Sequence, residues 1–157
     1  RTADVLVASQ IISYEQQRIG DAIVYRGSRP PSNTTLLNRF ENQQNWKFTR
    51  PDQSYSNVIV GPILSGEKLV DDPKYKEALS NEFPQAIGGE MEGAGLGAAS
   101  NRIGTAWILV KAICDWAQGA KDDRHQDLAA AAATSLVYSV LSQPNALSGL
   151  NKLTPPA

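Results

Sequence analysis

GGEMEGAG, residues 88–95, sets two carboxylates and a methionine at the end of an apolar segment and at the start of a helix. Glu90 and Glu92 are separated by one residue. On an extended backbone, positions i and i+2 share a face, so both acids would enter one crevice while Met91 points away or lines its floor. A carboxylate pair suits a ligand rich in hydroxyl donors, such as a sugar diol. Glycines at 88, 89, 93 and 95 permit close approach of a ligand or of another backbone. The competing reading is a strand that ends in a glycine-rich turn with two solvated glutamates.

A second segment, AWILVKAICDWA at residues 106–117, adds an acid to this picture. Residues 107–113 form a continuous apolar run, the pattern of a parallel strand covered on both faces. Asp115 and then Trp116 follow it. In open α/β sheets the ligand crevice lies beyond the carboxyl ends of the strands. An acid on such a dry strand end is costly to ionise, which makes Asp115 a candidate general acid with a raised pKa. Lys111, Ile113 and Asp115 share a face by the period of 2, so the lysine is placed either to hold an acid or to form a plain buried ion pair. Cys114 has no neighbouring base and is not read as a nucleophile. Trp116 is a candidate for stacking on a flat ligand, against the commoner fate of a core or interface tryptophan.

Working outward, strands are expected at 4–13, 22–25, 58–64, 86–91 and 107–114, and helices at 34–45, 73–82, 92–102 and 123–142. Asp72 followed by Pro73 marks a helix start, Ser32 or Asn33 caps the first helix, and Pro144 stops the last one. The alternation predicts a three-layer α/β/α sandwich with a mostly parallel central sheet over residues 1–143, then an irregular tail at 144–157. At 157 residues the chain is long enough for one domain with a real core. A net charge of −1 with no basic run disfavours a nucleic acid polymer as partner. One cysteine and one histidine, His125, are too few for a disulfide or for His/Cys metal chemistry, so neither metal nor cofactor is expected. No stretch reads as a signal or a membrane span, and a cytoplasmic setting is the expectation.

Five stretches together carry a family resemblance: ADVLVASQIISYE (3–15), VGPILSGEKLVDD (60–72), FPQAIGGEMEGAGL (83–96), ILVKAICDWA (108–117) and the alanine-rich helix near 126–141. In this order they resemble the carboxyl-terminal part of the purine nucleoside phosphorylase and nucleosidase superfamily, which includes the methylthioadenosine/S-adenosylhomocysteine nucleosidases. The resemblance implies cleavage of an N-ribosidic bond. In that reaction Glu92 would bind the ribose 2′- and 3′-hydroxyls, Met91 would pack on the sugar, and Asp115 would protonate the purine N7. Leu69 and Val70 would border the base, although Leu69 stands where relatives often carry an aromatic. Cys114 replaces a serine common before the catalytic acid. Glu90 would contact the ribose or pair with Lys111. Relatives of the nucleosidase type also have a preceding half-sheet with a glycine-rich segment and a water-activating acid. We therefore expect this chain to be one segment of a longer polypeptide.

The polar stretch QGAKDDRH, residues 118–125, reads as a solvated connection or as a lid whose Lys121 and Arg124 reach 5′-phosphates. GGEMEGAGL with KAICDWA resembles phosphorylase-like domains attached to bacterial defence and signalling proteins, which implies a purine nucleoside or nucleotide, adenine favoured, as substrate. Hydrolysis is the leading expectation, phosphorolysis its close rival, and a non-catalytic nucleoside sensor the alternative from another class. Small-residue faces at 92–100 and 129–134, together with the family habit, point to a homo-oligomer.

Overall fold

A computed structural model describes residues 1–21, 23–68, 70–114 and 124–150, the side chain of Arg124 excepted. Its main sheet is built from β1 (Val5–Ser13), β4 (Val58–Ser65), β5 (Gly88–Glu90) and β6 (Val110–Ala112), in the order β5-β4-β1-β6. β1 pairs parallel with β4, and β4 parallel with β5. A hairpin of β2 (Gln17–Ile19) and β3 (Ile23–Tyr25) forms a separate two-stranded sheet. Four helices complete the described residues: α1 (Thr34–Glu41), α2 (Pro73–Glu82), α3 (Gly93–Ile103) and α4 (Arg124–Leu141).

The buried face of β1 alternates as its pleat dictates. Val5 and Val7 meet Phe40 of α1 and Ala129, Ala132, Leu136 and Val140 of α4. Leu6 and Ala8 face the other way, with Ile63 and Trp107. Between Ala8 and Gln10 the register slips opposite Pro62, which has no N–H to give to a ladder. The extra residue reverses the alternation, so Ile11 rejoins Leu6 and Ala8, while Ile12 and Tyr14 pack on Leu64, Leu79 and Phe83. α3 packs on this second face, with Gly93 against Ile11 and Gly97 against Trp107, so helices cover both faces of a mostly parallel sheet, as the alternation predicts.

Several boundaries differ from expectation for local reasons. The segment 107–114 does not form a parallel strand: β6 runs antiparallel to β1, with Val5 opposite Ala112 and Val7 opposite Val110. A run of apolar residues reports burial on both faces and carries no information on direction. α1 ends at Glu41, short of 45, because Trp46 turns away and its indole Nε1–H donates to Ser135 Oγ of α4 (3.1 Å). The ladder of β5 begins only at Gly88, two residues later than expected. α2 spans 73–82 as read, capped by Asp72, whose carboxylate accepts from Lys74 N–H (2.8 Å). Asn33 is the cap of α1. α3 closes at Gly104, whose φ of 66° is the left-handed conformation usual after a helix.

A buried ion pair ties the start of β1 to the 46–57 loop. Arg50, 6% exposed, pairs with Asp4, 3% exposed, and also donates to the Thr2 carbonyl (2.8 Å) and to the Tyr55 carbonyl. Asp4 Oδ1 accepts the Asn57 N–H as well (2.7 Å). None of the described helices is long and apolar enough to cross a membrane.

Candidate active site

Because β1, β4 and β5 are parallel, their carboxyl ends at Ser13, Ser65 and Glu90 lie along one edge. α3 starts immediately after β5, and its first N–H groups need acceptors. Glu90 supplies one. Its Oε2 accepts from Glu92 N–H (2.7 Å) and Gly93 N–H (2.6 Å), while Ser65 Oγ accepts from Ala94 N–H (2.8 Å). A carboxylate at a helix amino terminus is also favoured by the helix dipole. Glu90 is 7% exposed, and its second oxygen, Oε1, is buried without a hydrogen-bond partner among the described residues.

The two glutamates therefore separate. Glu92 has left the extended conformation, with φ −116° and ψ −23°, so the i and i+2 rule no longer holds across the pair. Glu90 turns inward onto the helix, whereas Glu92 is exposed and, among the described residues, its side chain takes only a 3.3 Å contact from Met91 N–H onto Oε2. Met91 is 43% exposed. Among the described residues no ion pair joins Glu90 to Lys111. Gly93 is needed by this arrangement. A Cβ there would come within 2.7 Å of Glu90 Oε1 and 2.9 Å of Ile11 and Leu109. We expect Gly93→Ala to lower stability by about 1–3 kcal/mol through overpacking, read by denaturant unfolding. An unchanged midpoint would show that the carboxylate relocates freely.

A pocket of about 350 Å³ opens beside β5. Glu90 and Met91 line one part, Lys111 and Cys114 another, and Val70 and Phe83 a third. It thus gathers three of the segments singled out in the sequence. Glu92 is not among the lining residues. Because β6 runs antiparallel, its end at Ile113 hydrogen-bonds beside Asp4, at the amino end of β1. The crevice is therefore not a simple row of carboxyl ends, and Cys114 borders it from the opposite direction. Leu69, Asp115, Trp116 and Lys121 lie outside the described residues. Arg124 opens α4, and its side chain is likewise outside them.

From the sequence Tyr14 has no assigned role, and Ser65 is placed only at the start of a stretch expected to border the base, not as an acceptor for the start of α3. Tyr14 lines the pocket at 3% exposure; burial first, then Tyr75 and Glu15, pushes its phenol up to about 12, so it remains a neutral hydroxyl. Both residues stand at carboxyl ends of parallel strands, a position that could have drawn attention to them. Among the described residues no three His, Cys, Asp or Glu side chains are arranged to hold a metal ion.

The family described as the Phosphorylase superfamily matches residues 1–142. Over 110 residues the chain is 33% identical to a death domain-containing ATP nucleosidase of Amphimedon queenslandica, covering 68% of this chain and 21% of that protein. It is 30% identical over 88 residues to a 5′-methylthioadenosine/S-adenosylhomocysteine nucleosidase of Geobacillus kaustophilus, covering 54% of this chain and 37% of the relative. The chain therefore spans well under half the length of either relative. Among solved structures, the methylthioadenosine/S-adenosylhomocysteine nucleosidase of Neisseria meningitidis with methylthio-immucillin-A superposes at a TM-score of 0.71 and 19% identity, covering 90% of this chain and 62% of that one. Futalosine hydrolase of Helicobacter pylori superposes at 0.68 and 20% identity, covering 90% and 60%. These two likenesses concern the fold.

Proposed function

Since the chain belongs to the phosphorylase superfamily, we propose that it forms the base- and ribose-binding part of a purine N-ribosidic hydrolase acting on an adenine nucleoside or nucleotide. The observation that carries this reading is the single pocket in which Met91, next to Glu92, and Cys114, next to Asp115, both stand. The segments implied to hold the sugar and to protonate the base thus border one cavity.

The chemistry follows from the bond that breaks. Water adds to C1′ and gives up a proton to solvent as the glycosidic bond gives its electron pair to the base, and the ribose passes through an oxocarbenium-like state. Glu92, exposed beside the pocket, accepts hydrogen bonds from the two ribose hydroxyls and places negative charge near the developing cation. Asp115 gives its proton to N7, so the base departs neutral. Glu90 keeps the backbone that carries Glu92 in register with α3. The likeness to an ATP nucleosidase favours a nucleotide among the candidate substrates, and a nucleotide-depleting role in defence is consistent with it.

The test is chromatographic detection of free base after incubating the full-length protein with adenosine, methylthioadenosine, inosine, AMP and ATP, each with and without phosphate. Release without phosphate is the expected result. Release that requires phosphate would make the protein a phosphorylase, and none from any substrate would favour a sensor. Glu92→Gln is expected to lower kcat/KM about 10²–10³-fold with little change in melting temperature, because among the described residues its exposed side chain takes no contact but the long one from Met91 N–H, which a glutamine oxygen can also accept.

A further inference from the structure

We infer that Glu15 is a positioning residue that fixes the 66–68 backbone, and with it the Lys68 edge of the pocket, and so sets how tightly the site holds its ligand. The inference rests on the pocket being the substrate site. β1 ends at Ser13, and the two residues beyond it form a seat for the loop that leaves β4. Tyr14 N–H donates to the Ser65 carbonyl (3.3 Å), and its ring lies flush against Gly66, where a Cβ would come within 2.5 Å of the ring carbon that carries the hydroxyl. No side chain fits at 66.

Glu15 then holds the next two residues. Its Oε2 accepts Glu67 N–H (3.0 Å), and Oε1 stands 3.5 Å from the Lys68 ammonium. The backbone N–H of Glu67, the strongest influence, lowers the Glu15 pKa together with Lys68, so the carboxylate is charged at neutral pH. A glycine-led turn is otherwise costly to order, and Lys68 at the end of this one lines the pocket, as does Val70. The ion pair is largely solvated, with Lys68 68% exposed, so it adds little to global stability. Its effect falls on the loop.

The experiment compares full-length wild type with Glu15→Gln, Glu15→Ala and Lys68→Met. A glutamine retains one acceptor for Glu67 N–H but cannot pair with an ammonium. We expect KM to rise about tenfold in Glu15→Ala, the equivalent of losing one charged hydrogen bond, with a smaller rise in Glu15→Gln. Values of kcat should stay within about twofold, and the melting temperature should be unchanged. Amide exchange at Glu67 and Lys68 should accelerate in the alanine variant. Unchanged KM and unchanged exchange would overturn the inference, as would a fall in melting temperature that accounts for the loss. If wild type releases no base at all, the proposed function fails, yet amide exchange still reports whether Glu15 orders the 66–68 backbone.

Discussion

Asp115→Asn is expected to slow release of the purine base by about 10²–10⁴-fold, while free adenine still binds within a few-fold of wild type and the melting temperature does not move. Asparagine keeps the shape and a hydrogen-bond donor but has no proton to give. The leaving base would then depart as an anion. The residue directly follows Cys114, which borders the pocket. Steady-state rates across pH 5 to 8 supply the second readout. A proton donor loses activity as pH rises through its pKa, so the wild-type rate should fall toward alkaline pH and the variant should be flat. A variant with more than a tenth of wild-type kcat would move the acid's role to another residue.

The second large effect is on stability. Asp4→Ala should destabilise the protein by about 3–5 kcal/mol, the cost of leaving a buried arginine unpaired. Arg50 is 6% exposed and would also lose the geometry of its bonds to the Thr2 and Tyr55 carbonyls. Urea unfolding measures this directly, and a loss below about 1 kcal/mol would mean that water replaces the carboxylate. The pH dependence has a definite sign. Burial alone would raise the Asp4 pKa, but the Asn57 N–H and the Arg50 guanidinium act against burial, and the carboxyl lies below its ordinary value. A carboxyl depressed in the folded state contributes stability that is fully present above its unfolded pKa of about 3.9. That contribution disappears as pH falls through the lower folded value. Asp4→Asn should therefore show a shallower loss of stability in acid than wild type.

Much of this architecture was legible because the signals are local. Asp72 and Pro73 place the start of α2 to the residue, since a cap and a first-turn proline need no distant partner. The alternating faces of β1 and the branched run of β4 identify themselves by composition. Strand direction is another matter. The segment 107–114 reads as buried, but only its pairing with Val5 and Val7 reveals that it runs against β1. The Glu90 and Glu92 pair shows the same limit at the site. Spacing placed both on one face, and a change in backbone conformation at one residue, Glu92, sends them apart. Tyr14, Glu15 and Ser65 act through partners about 30 to 50 residues away, and no local pattern announces such contacts. Of the hairpin, only the second strand is legible in the sequence, because the first, QRI, is short and mostly polar.

The division of labour between the two glutamates also has a meaning for descent. Position 90 is answerable to the fold, because a helix start depends on it, whereas on the proposed function position 92 is answerable to the ribose. Under relaxed selection on ligand binding the two should part company, with 92 free to drift and 90 retained. A lineage that gave up the nucleoside altogether would carry that signature: the inner acid kept, the outer one gone.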